Sequence, residues 1–213
     1  MNKLRHYSFA ILIGFIALSF TSCKKDDPIA EIPEEEIGTA SLTFVEVARE
    51  AHGDHFHYDS IPGAEPLVVS FDNSGLAPVG AHIHLSEGKT YKVSLKALDF
   101  ANREMQQEFV AKDDIHQAFI LGAPAGILDY VYADRNAENV KINVGVTGYI
   151  TVLEESGSFT FRYVLRHLNP GVKANITAGD WNNVNFDTLF SGANDLDLKF
   201  LLHPVHEGDH DHE

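Results

Sequence analysis

Histidine and acidic side chains gather at three places in this chain, in patterns that suit a metal ion. His52, His55 and His57 stand with Asp54 and Asp59 in "HGDHFHYD", and His82 and His84 in "GAHIHL". His203, His206, His210 and His212 alternate with Glu207, Asp209, Asp211 and Glu213 in the final stretch. Imidazole with carboxylate and no thiolate suits Zn(II), Cu(II) or Ni(II) rather than soft Cu(I). Zinc is the expected ion, with copper or nickel as alternatives. Protonation of imidazoles near their reference pKa of about 6.5 is expected to release it in mild acid.

Spacing separates these groups into two kinds. On a strand, residues i and i+2 share a face, so His82 and His84 point together while Ile83 turns to the core. By the same rule His55 and His57 share a face, and Phe56 is expected to point inward. Each pair supplies half of a tetrahedral shell, so the remaining ligands must come from another strand or loop. The expectation is one ordered site of His55, His57, His82 and His84, with His52 or Asp54 as a further ligand. The last stretch, "HPVHEGDHDHE", has no apolar periodicity after Val205. It reads as a flexible collecting arm of His203, His206, Asp209, His210, Asp211 and His212. His116 and His167 stand apart and are expected to be structural, His116 bonding Asp113 or a backbone carbonyl.

Short strands must position these residues. "TYKVSLKAL" alternates cleanly, with Tyr91, Val93, Leu95 and Ala97 on one face and Lys92, Ser94 and Lys96 on the other. "SLTFVEVA", "PLVVSF", "HQAFIL", "GILDYVYA", "KINVGVTGYITV", "SFTFRYVL" and "DLDLKFLL" are separated by Gly, Asn, Asp or Pro. Such punctuation predicts an all-β domain, taken here as an immunoglobulin-like antiparallel β-sandwich. "ANREMQQEFVAKDD" is the one short helical or loop insertion. Gly145 and Gly148 inside a strand pattern predict a bulge or a close backbone approach. Trp181, in "GDWNNVNF", is expected to anchor a loop on the sandwich edge.

Composition bounds the function classes. The 213 residues carry 16 basic and 31 acidic side chains, a net charge of −15. That surface repels phosphate backbones, so no nucleic-acid partner is expected. The sequence lacks a Gly-x-Ser-x-Gly elbow, a His-Glu-x-x-His pair and a phosphate-binding loop, and no enzymatic activity is expected.

The start of the chain addresses it to an envelope. Lys3 and Arg5 precede "FAILIGFIALSF", too short to span a bilayer and fitting a signal-peptide core. The run ends in "TSC", and Cys23, the sole cysteine, lies in what resembles the lipobox of bacterial lipoproteins. That resemblance implies acylation of Cys23 and loss of residues 1–22. The loss removes Lys3, Arg5, His6 and no acid, taking the charge from −15 to −17 and the histidines from 12 to 11. "KKDDP" after Cys23 resembles the export signal of surface lipoproteins of the Bacteroidota, and Lys24 fits sorting to the outer membrane. The resemblance implies an outer-membrane lipoprotein, surface-exposed or otherwise facing the periplasm. "DSI" at Asp59 and "DTL" at Asp187 resemble that phylum's O-glycosylation sites. Residues 23–38, proline- and acid-rich, form the tether; 39–203 the sandwich; 204–213 the tail.

Longer stretches carry a further resemblance. "EGKTYKVSLKALDFANREMQQEFVAKDDIHQAFIL", "YVLRHLNPGVK" and "NDLDLKFLLHP" resemble small Bacteroidota lipoproteins that look like companions of TonB-dependent receptors. This implies capture of a nutrient, here a metal, and handover to such a receptor. "GAHIHLSEG" is similar over about ten residues to Cu/Zn superoxide dismutase and to cupins. The further histidines and the disulfide of the former are missing, as is the second motif of the latter. The alternative function is a non-metal surface binding or adhesion module for glycan or protein.

Overall fold

The computed structural model describes residues 37–206. The signal segment, Cys23, nearly all of the tether and the tail residues Asp209, His210, Asp211 and His212 lie outside the described residues. Ten strands follow in order: β1 (Ile37–His52), β2 (His55–Ser60), β3 (Leu67–Phe71), β4 (His82–Ser86), β5 (Thr90–Asp99), β6 (His116–Leu121), β7 (Leu128–Tyr132), β8 (Thr147–Val152), β9 (Phe159–Leu168) and β10 (Gly192–Val205). A helix, Gln106–Ala111, fills the expected insertion between β5 and β6.

Period-2 burial drives the assembly. In β5, Tyr91, Val93, Leu95 and Ala97 are buried while Lys92 and Lys96 are exposed. Matching faces of β1, β8, β9 and β10 add Leu42, Phe44, Ile150, Phe161, Tyr163, Leu198 and Phe200 to the same core. Phe44, Phe161 and Phe200 meet with ring centres 5.0–6.0 Å apart, within the range that rewards aromatic pairs beyond plain burial.

The strands form two sheets. A six-stranded sheet runs β2-β1-β5-β8-β7 with β3 also on β1, and a four-stranded sheet runs β4-β10-β9-β6. One of the two curls into a half-barrel. In the six-stranded sheet Tyr58 of β2 stacks on Tyr149 of β8, with ring centres 3.8 Å apart and planes within 6°, although two strands separate them in the sheet order. Pairing departs from the all-antiparallel expectation at β4, which lies parallel to β10, with Leu201 opposite His82 and His203 opposite His84. The segment between β3 and β4 carries the chain from one sheet to the other, so β4 enters alongside β10 rather than against its neighbour in sequence. Strand spacing predicts the strand but carries no information on its direction.

Close backbone approach at the two glycines follows the sequence. A Cβ on Gly148 would lie 2.3 Å from the Tyr130 hydroxyl oxygen, and one on Gly145 2.5 Å from Ala118 Cβ. Gly145 also adopts φ +99°, a region that side chains disfavour. Trp181 packs partly buried on the core, its ring centre 5.9 Å from that of Tyr130.

The outer face of the four-stranded sheet is covered as well. Phe119, Leu121, Val164 and Leu168 pack there under Phe186 and Phe190. Strand β6 is consequently buried along its whole length, and any polar group on it must find a partner inside the protein.

Candidate metal centre

Two polar side chains on these buried strands face each other. His116 opens β6 and His167 lies near the end of β9, directly opposite in the antiparallel ladder. Parity fixes their direction: His116 shares a face with Ala118 and Ile120, and His167 with Tyr163 and Leu165, all in the core between the sheets. Their ring centres are 4.8 Å apart.

A β-bulge supplies the third group. On β10, Asn194 pairs with Arg166 and Leu196 pairs with Leu165, so Asp195 is an extra residue inserted between two ladder pairs. Before the bulge, the Arg166 guanidinium donates to the Asn194 side-chain oxygen at 2.7 Å, on the outer face. After it, Leu196, Leu198 and Phe200 face the core. The inserted residue inverts the parity and aims the Asp195 carboxylate at the histidines, a common use of bulges.

The three side chains converge. His116 Nε2 lies 3.3 Å from Asp195 Oδ2, and His167 Nδ1 lies 3.7 Å from Asp195 Oδ1. One ligand atom from each residue falls within 4.8 Å of the others, and this is the group of that kind found among the described residues. The His116 and Asp195 side chains have no solvent exposure and His167 has 5%. His116 Nδ1 bonds the Lys112 carbonyl at 3.0 Å, and with that nitrogen as donor the Nε2 lone pair faces the site. Metal-ligating imidazoles are oriented in the same way by a backbone carbonyl on the second nitrogen. Phe109 of the helix covers His116 edge-on at 5.2 Å.

The charge around the site is arranged by burial. A carboxylate between two imidazoles, shut away from water, is costly unless a cation or a shared proton offsets it. Lys173 donates to the His116 carbonyl and, at 2.7 Å, to that of Asn143. Burial pushes its ammonium pKa down to about 8. On the neighbouring loop, burial pushes the Asp134 carboxyl up to about 6, against the backbone N–H groups of Gly145 and Thr147 that favour its ionised form.

Two nitrogens and one oxygen match the three protein ligands of a catalytic-type zinc site. The same set accepts copper or nickel. His116 was expected to bond a backbone carbonyl, and it does. The role of its other nitrogen was missed, as were those of His167 and Asp195. Two histidines within largely apolar runs, "HQAFIL" and "YVLRHL", were the available signal, because a buried imidazole demands a partner.

The other histidines fall into two groups. His52, His55 and His57 cluster at the β1–β2 hairpin, ring centres 4.6–6.3 Å apart, with Asp54 Oδ1 3.1 Å from His55 Nδ1. Phe56 does not face the core. It is 44% exposed and carries the Arg49 guanidinium 3.6 Å above its ring, because β2 is an edge strand with no layer beneath it. His82 and His84 instead cluster with His203 of β10. The hairpin belongs to the six-stranded sheet, whereas His82 and His84 lie on β4 of the other sheet. Ring contacts among the described residues run within each group. His206, the last described residue, has Nδ1 2.7 Å from Glu87 and Nε2 3.2 Å from Glu155.

No protein-family model, curated protein or solved structure matches this chain.

Proposed function

We propose that this chain is a lipid-anchored cell-envelope protein that binds a divalent transition metal, zinc first, at His116, His167 and Asp195. The observation that carries the reading is the convergence of three ligand-competent side chains inside the core. A bulge on β10 that places a carboxylate against two buried imidazoles has no evident packing purpose. The acidic surface would concentrate cations around the molecule. The "TSC" and "KKDDP" strings support an acyl anchor on Cys23 and an outer-membrane location, and the longer resemblance supports handover to a TonB-dependent receptor. The immunoglobulin-like form of the sandwich is part of this reading, supported by the single core to which both sheets contribute.

Calorimetry on the full mature chain tests it. Zinc titration of the wild type is compared with His167→Gln and Asp195→Asn, with circular dichroism to confirm folding. Second-shell changes cost about 10–100-fold in metal affinity, so loss of a ligand itself is expected to exceed about 100-fold. Unchanged binding in both folded variants sinks the proposal.

A further inference from the structure

Beyond the buried centre, we infer that His82, His84 and His203 form a second, solvent-facing site for a divalent transition metal.

The parallel ladder creates it. His203 sits directly opposite His84, and Leu201 opposite His82. Ile83, Leu85 and Leu202 turn to the core, so period-2 alternation puts all three imidazoles on the outer face. Their ring centres form a near-equilateral triangle with sides of 5.1, 5.2 and 4.8 Å. With zinc–nitrogen bonds of about 2.1 Å and tetrahedral angles, imidazole rings around one ion lie about 5 Å apart, centre to centre. The centre-to-centre spacing therefore suits one ion, while the ring nitrogens as placed do not converge, the His84 and His203 planes lying 2° from parallel. Binding an ion here would require the His84 and His203 rings to turn about their Cβ–Cγ bonds, whose torsional wells are broad.

Two further features point to a ligand. His82 Nδ1 lies 2.8 Å from the Gly80 carbonyl, which, with Nδ1 as donor, leaves Nε2 as the lone-pair nitrogen, the arrangement that orients metal-binding imidazoles. The Gly80 carbonyl is held in place by a turn closed by the Ala81 N–H on Pro78 O at 2.9 Å. Beyond His84, Glu87 and Glu155 bracket His206 and add negative charge at the same end of β4 and β10. Three imidazole nitrogens would leave the fourth position of a tetrahedral ion open to water or to a ligand from another molecule. With His82 exposed and the other two half-buried, that position faces solvent. Such a site exchanges its ion, whereas the core triad encloses one.

The test is zinc calorimetry, with cobalt(II) absorption as a second readout, on four forms of the full chain: wild type, His82→Ala/His84→Ala/His203→Ala, His116→Ala/His167→Ala, and His210→Ala/His212→Ala. The first triple variant is expected to lose one equivalent and its tetrahedral cobalt bands while retaining the tighter event. The tail variant is expected to keep the equivalent. His84→Gln alone, a milder change, should weaken it at least about 10-fold. If the triple variant keeps every equivalent of the wild type, or the tail variant accounts for the lost one, the surface site is overturned. Unchanged binding in the core variant counts against the buried centre and leaves this inference standing.

Discussion

His116 and His167 occupy directly opposed positions on β6 and β9, and the carboxylate that meets them, Asp195, lies on neither strand but in the bulge of β10. Three strands of one sheet thus meet at one buried point, and the consequences can be measured.

Zinc should raise the melting temperature through this point. An ion that binds only the native state, at about 100 times its dissociation constant, stabilises by about 2.7 kcal/mol, or about 5–10 °C for a domain of this size. Scanning calorimetry with and without zinc is expected to show that rise for wild type and to lose most of it for Asp195→Asn.

Release from the buried triad should be slow. With two side chains fully enclosed and the third 5% exposed, an ion leaves only when the structure opens locally. Mixing zinc-loaded protein with a chelator should give a first-order phase whose rate does not change with chelator concentration. A rate proportional to chelator would show that the triad is open to solvent.

Asp134 should make stability fall as pH rises from about 4 to about 6. Its folded pKa, raised by burial to about 6, lies above the ordinary carboxylate value of 3.8, so the native state holds the proton more tightly. The stability this contributes is complete below the unfolded value and lost as pH passes the folded one. A shift of this size corresponds to about 3 kcal/mol. In urea titrations at several pH values, the stability of wild type relative to Asp134→Asn is expected to decline across that window and stay flat above it.

Gly148→Ala should destabilise the sandwich without touching either histidine group. The new methyl would press on the Tyr130 ring and hydroxyl, 2.3–2.4 Å away. Overpacking of this kind costs about 1–3 kcal/mol. At Gly145 the positive φ adds backbone strain to the contact with Ala118, so Gly145→Ala should cost more. Urea midpoints at one pH rank the two.

Much of this was legible in the sequence. Alternation in "TYKVSLKAL" predicted the buried face of β5, the insertion held a helix, and the glycines marked close approach. Trp181 packs where a loop anchor should. These features follow from local rules, the two-residue period of a strand and the conformational range of glycine, which act within a few residues. Pairing is different. Whether His84 meets His57 or His203 depends on which strands become neighbours and how the sheet curls, and no local pattern encodes that.

Asp195 shows the boundary most clearly. In "NDLDLKF" the apolar positions Leu196, Leu198 and Phe200 put Asp195 on the same side as Asp197, facing solvent. Asp197 obeys that reading and binds Arg162 at 2.7 and 2.9 Å on the outer face. Asp195 does not, because one inserted residue reverses the alternation and turns its carboxylate inward. The sequence by itself determined the chemistry available, imidazole and carboxylate in an acidic, β-rich chain. Only the tertiary structure decided which of those groups meet, because register and bulges are settled by contacts between strands distant in the chain.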